Sequence, residues 1–252
     1  MTASERREQI LSRLTSVGYL NANQLSEEFD VDSSTIRRDL IHLEKRGLII
    51  RTHGGVLPVL SSDGQDTPYN IRKARHHDEK VAIGIYAASL VKDGDSVILD
   101  NGSTVYELAV ILTQKKNLTV ITNDLKIAML MSQFPGINLN VTGGAVAGNS
   151  FTLVGPDATR KFAEVYADWA FMGAEGVDPE AGITNVNAIE IPTKKAILSA
   201  ARKKVILVDS SKIGYRALSH VCPLAEVDII ITGKKKNEKV ASFYSGKLHF
   251  AH

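Results

Sequence analysis

Two things are scarce in this sequence: thiols and long apolar runs. Its 252 residues include one cysteine, Cys222, so no disulfide can form within the chain and a reducing compartment fits. The opening MTASERREQI lacks the apolar core of a secretory leader. The longest smoothly apolar stretch, residues 81–91, is too short to span a bilayer. These absences predict a cytoplasmic protein with no membrane partner. Net charge is scarce too, at +2. That excludes a surface coated in positive charge, so any nucleic-acid-binding face must be local. No internal repeat and no low-complexity tract is present. With 44% hydrophobic residues the chain can bury a core, which excludes wholesale disorder. Its length allows one large domain or two smaller ones.

Three helical patterns open the sequence. Ile10, Leu14 and Val17 recur at helical spacing with Leu11 beside them, and Gly18 ends the run. In NANQLSEEFD, Leu25 and Phe29 are four apart. Val31 follows, and Asp32 is placed to cap a third helix. That helix buries Ile36, Leu40 and Leu43 and stops at Gly47. LIIRTHGGVLP then reads as two short strands around a His-Gly-Gly turn. This is the layout of a winged helix-turn-helix over residues 1–58.

The third helix contains STIRRDL, residues 34–40. At about 100° per residue, Ser34, Arg38 and Lys45 fall opposite the apolar stripe, with Thr35 and Arg37 on its flanks. Between residues 33 and 58, five basic side chains (Arg37, Arg38, Lys45, Arg46, Arg51) face two acidic ones (Asp39, Glu44), a local +3. An arginine pair on a helix is ordinarily only solvated. Here it stands on the helix that reads base edges in such a domain. Ile41, near the same outer face, is the one residue that a purely polar DNA surface does not predict. The candidate DNA contacts are Ser33, Ser34, Thr35, Arg37 and Arg38 on the helix, and Arg51, His53 and Gly54 on the wing.

Periodicity dissolves over residues 59–77, where Ser, Asp, Gly and Pro give way to basic residues, as in a connector. His76 and His77 are adjacent, the wrong spacing for a paired metal site on a helix, and no metal is expected. From residue 78 to residue 252 the pattern alternates. SVILD, LTVIT, INLNVTGG, DWAFMGA, KVILVDS and VDIIIT read as strands. TVYELAVILT, LKIAMLMSQF, PDATRKFAEV and IPTKKAILSAARK read as helices. Alternation of this kind predicts a Rossmann-like, mostly parallel α/β domain with helices on both faces.

Ligands of such sheets bind beyond the strand C-terminal ends, and small polar motifs fall there. They are Asp100-Asn101-Gly102-Ser103-Thr104, Thr122-Asn123-Asp124, Thr142-Gly143-Gly144, Gly173-Ala174-Glu175-Gly176 and Asp209-Ser210-Ser211-Lys212. Each alone reads as a turn or a cap; five along one sheet edge predict a pocket. Backbone N–H groups and hydroxyls at Gly102, Ser103 and Thr104 suit a phosphate. Lys212 suits the same anion, and Asp100 a sugar hydroxyl. Lys195, Lys203 and Lys204 read as solvated, on or at the end of a helix. There is no G-x-x-x-x-G-K-[ST], and no G-x-G-x-x-G follows a strand, so no cofactor is expected.

The stretches ERREQILSRL and TIRRDLIHLEKRGLIIRTHGGV resemble the DNA-binding domain of the DeoR family of bacterial transcriptional regulators. DGDSVILDNGSTVYELA, VITNDLKIA, VTGG, DWAFMGAEGVDPEAGITNVN and VILVDSSKIG resemble that family's sensor domain. The resemblance implies that Thr35, Arg37 and Arg38 meet double-stranded operator DNA. It implies that the wing tip lies on the flanking backbone and that the sensor binds a phosphorylated sugar or related intermediate. Carried over position by position, it implicates Asp100, Gly102, Ser103, Thr104, Asn123, Gly143, Gly144, Glu175, Asn187, Glu190 and Lys212. One departure is Asp124, where many members carry serine; its charge stands near the expected anion. Another is the closing KLHFAH, altered from the family's usual last strand.

A different class of function fits the same domain: a sugar-phosphate isomerase with a DNA-binding appendage. Glu175, Asp178 and Glu190 supply carboxylates for proton transfer. However, ITNVNAIEIPTKK lacks the Lys-Gly-Gly run and following acid typical of ribose-5-phosphate isomerases. A ligand-released repressor of a carbohydrate operon is the favoured reading. Two DNA heads are needed to read two half-sites, so a homodimer or higher oligomer is expected.

Overall fold

The computed structural model describes residues 1–17, 19–52, 55–58, 69–148, 150–233, 242, 244 and 246–251. The chain divides into two compact units, Met1–Arg75 and His76–His252.

The first unit runs α1 (Ala3–Val17), β1 (Leu20–Asn21), α2 (Ala22–Glu28), α3 (Ser33–Lys45), β2 (Ile49–Thr52), β3 (Gly55–Pro58) and α4 (Tyr69–Ala74). Its core joins Ile10 and Leu14 of α1, Leu25 of α2, and Ile36, Leu40 and Leu43 of α3 to Leu20, Leu48, Ile49 and Val56. Each such side chain contributes about 1.5–3 kcal/mol by leaving water, so a small trihelical core suffices. β2 and β3 form the wing hairpin, pairing Ile49 with Pro58 and Thr52 with Gly55. β1 joins β3 antiparallel, an addition that two residues were too short to announce. Gly55 must be glycine, since a Cβ there would meet Leu20 O and the Tyr19 hydroxyl at 2.4 Å.

Asn21 caps α2 through its side chain, accepting Asn23 N–H at 2.9 Å. Asp32 stands at the cap position of α3 as expected, but its side chain makes no capping bond. Within the expected connector, residues 59–68 lie outside the described residues. Residues 69–74 are helical and pack on α1.

The second unit runs α5 (His77–Leu90), β4 (Ser96–Leu99), α6 (Ser103–Leu112), β5 (Leu118–Thr122), α7 (Leu125–Met131), β6 (Ile137–Val141), β7 (Ala145–Ala147), β8 (Thr152–Val154), α8 (Pro156–Ala163), β9 (Ala167–Gly173), β10 (Gly176–Asp178), β11 (Gly182–Asn185), α9 (Ile191–Ser199), β12 (Ala201–Leu207), β13 (Ser219–Cys222), β14 (Ile229–Thr232) and β15 (Leu248–Phe250). Seven strands form one sheet in the order β15-β14-β12-β9-β4-β5-β6. Every pairing in it is parallel.

Alternation along β4 sets the layers. Val97 and Leu99 pack with Ile83, Val105, Leu108 and Ile127 of α5, α6 and α7. Ile98, between them, packs with Phe162 of α8 and Ile197 of α9. Helices therefore cover both faces, as the sequence pattern requires. The closing KLHFAH supplies β15, paired with β14. Lys203 and Lys204 are corrected from helix end to strand, because the last helix stops at Ser199 and β12 starts two residues later. An antiparallel sheet, β10-β11-β13, and a hairpin, β7-β8, are additions at the strand ends.

Candidate functional site

In the first unit, α3 presents Ser33, Ser34, Arg37 and Arg38 to solvent, with Thr35 half-buried. Neither Arg37 nor Arg38 has an ion-pair partner among the described residues, so both guanidinium groups are available to an external anion. Asp39, one residue on, points the other way. Its carboxylate is buried and accepts from Arg6 Nε and Arg7 Nε of α1, each at 2.6 Å. The reading of Asp39 as a negative charge offsetting the DNA face is therefore corrected. Two arginines neutralise it inside the unit, and they fix α3 to α1. Arg51 of the wing lies 3.5 Å from Glu44, a pair still open to solvent. His53 and Gly54 lie outside the described residues.

In the second unit, sheet order reverses between β4 and β9. From β4 the chain moves outward through β5 and β6; from β9 it moves the other way through β12, β14 and β15. The crevice beyond such a switch point is where open α/β sheets bind ligands. Asp100, following β4, is fully buried there. Its Oδ2 accepts from Lys194 Nζ of α9 at 2.5 Å, and the same ammonium donates to Gly173 O at the end of β9, at 3.0 Å. Burial alone would lower the pKa of Lys194. The Asp100, Glu190 and Glu175 carboxylates outweigh it and hold that pKa above the usual lysine value.

Gly102 starts α6 at φ 139°, in the positive-φ region that side chains avoid. Ser103 and Thr104, in the first turn, are buried. The Gly102 N–H donates to Asp124 Oδ2 at 3.3 Å, and Asp124 Oδ1 caps α7 by accepting Lys126 N–H and Ile127 N–H at 2.7 and 3.0 Å. Burial pushes the Asp124 carboxyl up to about 6, against those backbone bonds and with a smaller push from Asp100. Asn123 donates to Leu153 O of β8 at 3.4 Å. Asp100 Oδ1, Asn101 Oδ1 and Asn123 Oδ1 are buried without a hydrogen-bond partner among the described residues. Such acceptors can receive hydroxyl donors from a ligand or water.

Of the remaining expected residues, Glu190 and Glu175 lie close enough to Lys194 to raise its pKa. Lys212 Nζ meets Glu175 Oε2 at 2.5 Å. Glu190 is buried and accepts Asn185 Nδ2 at 3.1 Å. Asn187 caps the short turn before α9 by accepting Ile189 N–H at 3.2 Å. Gly143 and Gly144 are exposed after β6, both at positive φ. A Cβ on Gly144 would fall 2.5 Å from Val154 O, so this glycine lets β8 close on the loop. Hydrogen bonds and ion pairs connect Asp100 with Lys194, Gly102 with Asp124, and Glu175 with Lys212. Asn187, Gly143 and Gly144 act here as a cap and as turns.

Lys194 was absent from the sequence-derived set. Its signal was its spacing, three residues after Ile191 and three before Ile197, on the stripe that α9 buries. The mixture of an ion pair, orphaned acceptors and a helix N-terminus suits a small, polar, hydroxylated anion better than an apolar ligand.

Residues 6–61 match the model of the DeoR-like helix-turn-helix domain, and residues 75–234 that of the DeoR C terminal sensor domain. The chain belongs to the DeoR family. It is 37% identical over 234 residues to the HTH-type transcriptional regulator GolR of Listeria innocua, covering 93% of this chain and 92% of that one. It is 29% identical to the glycerol-3-phosphate regulon repressor of Escherichia coli, covering 92% and 91%. Among solved structures it is similar to ribose 5-phosphate isomerase A of Methanocaldococcus jannaschii, at a TM-score of 0.41 and 23% identity over 55% of each chain. This DeoR-family member is a DNA-binding transcriptional regulator and not an isomerase. No helix among its described residues is long and apolar enough to cross a membrane.

Proposed function

We propose that this regulator is a repressor that works in the cytoplasm as a homodimer or higher oligomer. It leaves its operator when a phosphorylated sugar or related intermediate enters the crevice between β4 and β9. The observation that carries the reading is the crevice itself: a buried ion pair, Asp100–Lys194, beside three orphaned acceptors and the N-terminus of α6. On this reading Ser33, Ser34, Thr35, Arg37 and Arg38 enter the major groove, and Arg51, His53 and Gly54 meet the flanking backbone. Gly102, Ser103, Thr104 and Lys212 take the phosphate. Asp100, Asn123 and Glu190 take sugar hydroxyls, while Glu175, Asn187, Gly143 and Gly144 shape the rim. The name of the Escherichia coli relative, which refers to a phosphorylated three-carbon compound, supports an anionic effector.

The test is a thermal-shift screen with glycerol 3-phosphate, ribose 5-phosphate, fructose 1-phosphate, fructose 6-phosphate and glucose 6-phosphate. A compound that prefers the native state raises the melting temperature by mass action. The compound that does so is then titrated against the protein on a duplex that the protein has selected from random sequence. Lys212 must exchange Glu175 for the phosphate, so Lys212→Met should stay on DNA at concentrations that release the parent. An unshifted response in Lys212→Met places the phosphate elsewhere.

A further inference from the structure

The crevice is tied to the start of its own unit by a carboxylate outside the ligand-binding set. Glu79, in the first turn of α5, accepts the Ser210 N–H at 2.6 Å and the Ser210 hydroxyl at 3.3 Å. Its other side is closed by Gly233, after β14, where a Cβ would fall 1.9 Å from Glu79 Cγ. Ser210 begins the single turn Ser210–Lys212, whose far end is the lysine paired with Glu175.

That turn is stiff. The Asp209 carboxylate accepts the N–H and hydroxyl of Ser211, and the Lys212 N–H donates to Asp209 O at 3.1 Å. Three residues braced in this way cannot shift at Lys212 without shifting at Ser210. On the far side of Glu79, His76 Nδ1 lies 3.4 Å from Oε2, and the Lys80 N–H donates to His76 O at 3.0 Å. His76 is the first residue of the second unit and sits at φ 52°, in the left-handed region. A non-glycine residue there stores strain and is held by its surroundings, among them Glu79.

We propose that Glu79 is a positioning residue that carries the pairing state of Lys212 to residues 76–79, where the sensor unit continues in sequence from the DNA-binding unit. The proposal rests on the reading of the crevice as the effector site. Without ligand Lys212 pairs with Glu175; with ligand it pairs with the anion. That difference in partner is the differential contact that any ligand-driven shift requires. Moving Lys212 turns Ser210, and Ser210 pulls on Glu79 and the first turn of α5.

The test is amide hydrogen exchange at residues 77–81 in the full-length protein. The parent and the Glu79→Met and Glu79→Gln variants are each compared with and without Lys212→Met. Methionine fills the space beside Gly233 without an acceptor; glutamine restores a carbonyl for the Ser210 N–H. Lys212→Met should raise exchange at the Lys80 amide about tenfold in the parent, a loosening of one helical turn. It should add nothing in Glu79→Met, and the rise should return in Glu79→Gln. No rise in the parent, or an equal rise in Glu79→Met, overturns the proposal. A second arm uses whichever of the five sugar phosphates shifts the parent. Glu79→Met should bind that compound as tightly as the parent does, yet keep its DNA affinity; release matching the parent's overturns the proposal. If none of the five shifts the parent, the effector reading fails for these compounds, while the exchange arm still decides the role of Glu79.

Discussion

Lys194 Nζ lies 2.5 Å from Asp100 Oδ2, with 3% and 0% of the two side chains exposed. The pair joins α9 to the loop after β4 across the seam of the sheet, and Gly173 O completes the ammonium's shell. Removing one partner leaves the other charged and buried, which costs about 3–5 kcal/mol. Lys194→Met should therefore lower the urea midpoint sharply. Asp100→Asn in the same chain should recover most of the loss, because the stranded charge is gone. Simple additivity of the two changes would show that they do not act as a pair.

Asp124 makes stability depend on pH. Its carboxyl is raised from 3.8 to about 6 by burial, so the folded state holds this proton more tightly than the unfolded chain. The stabilisation is complete below pH about 4 and is lost as pH rises through about 6, a difference of roughly 2–3 kcal/mol. Asp124→Asn keeps an oxygen to cap α7 and removes the titration. Melting curves of the two proteins between pH 4 and pH 7 should diverge, with the parent losing ground as pH rises. Parallel curves would show that Asp124 titrates normally.

Asp39 acts on the DNA-binding unit from inside. Asp39→Ala strands Arg6, whose side chain is 8% exposed, and frees Arg7. Loss of a buried partner again costs about 3–5 kcal/mol. DNA binding should fall although Asp39 touches no DNA, and the fall should track the loss of helicity measured by circular dichroism. Unchanged helicity with lost binding would instead make Asp39 part of the recognition surface.

Arg38→Ala should leave the fold intact, since the side chain is exposed. If Arg38 reads a base edge, the selected duplex should bind about 1–3 kcal/mol more weakly while random DNA is little affected. A uniform loss on both duplexes, with a shallower salt dependence, would make it a phosphate contact. Unchanged affinity for both would remove it from the interface.

Asp39 and Lys194 also show where sequence reading stopped. Both stand on helix stripes whose other members are apolar: Asp39 between Ile36 and Leu43, Lys194 between Ile191 and Ile197. Apolar periodicity marks a stripe by its apolar members alone, so a charge buried among them carries no signal of its own. The other strands of the main sheet were legible because strands buried on both faces form near-continuous apolar runs, whereas β15, three residues long, was not. The β7-β8 hairpin and the β10-β11-β13 sheet were not. Their strands are three or four residues long, too short for alternation to separate them from loops. Glu79 left no sequence signal, because its partner Ser210 is 131 residues away.

The seam between β4 and β9 has a kinetic consequence. β4, β5 and β6 are consecutive in both sequence and space, so they and the helices α6 and α7 can assemble from neighbouring contacts. The pairing across the seam joins Ser96 to Asp168, 72 residues away. Long-range pairing of this kind slows folding more than it costs stability. Asp100 comes from one side of the seam and Gly173 and Lys194 from the other, so the pocket comes into being only when the two halves dock. A compound that fits it binds only the docked form and so draws the folding equilibrium toward it.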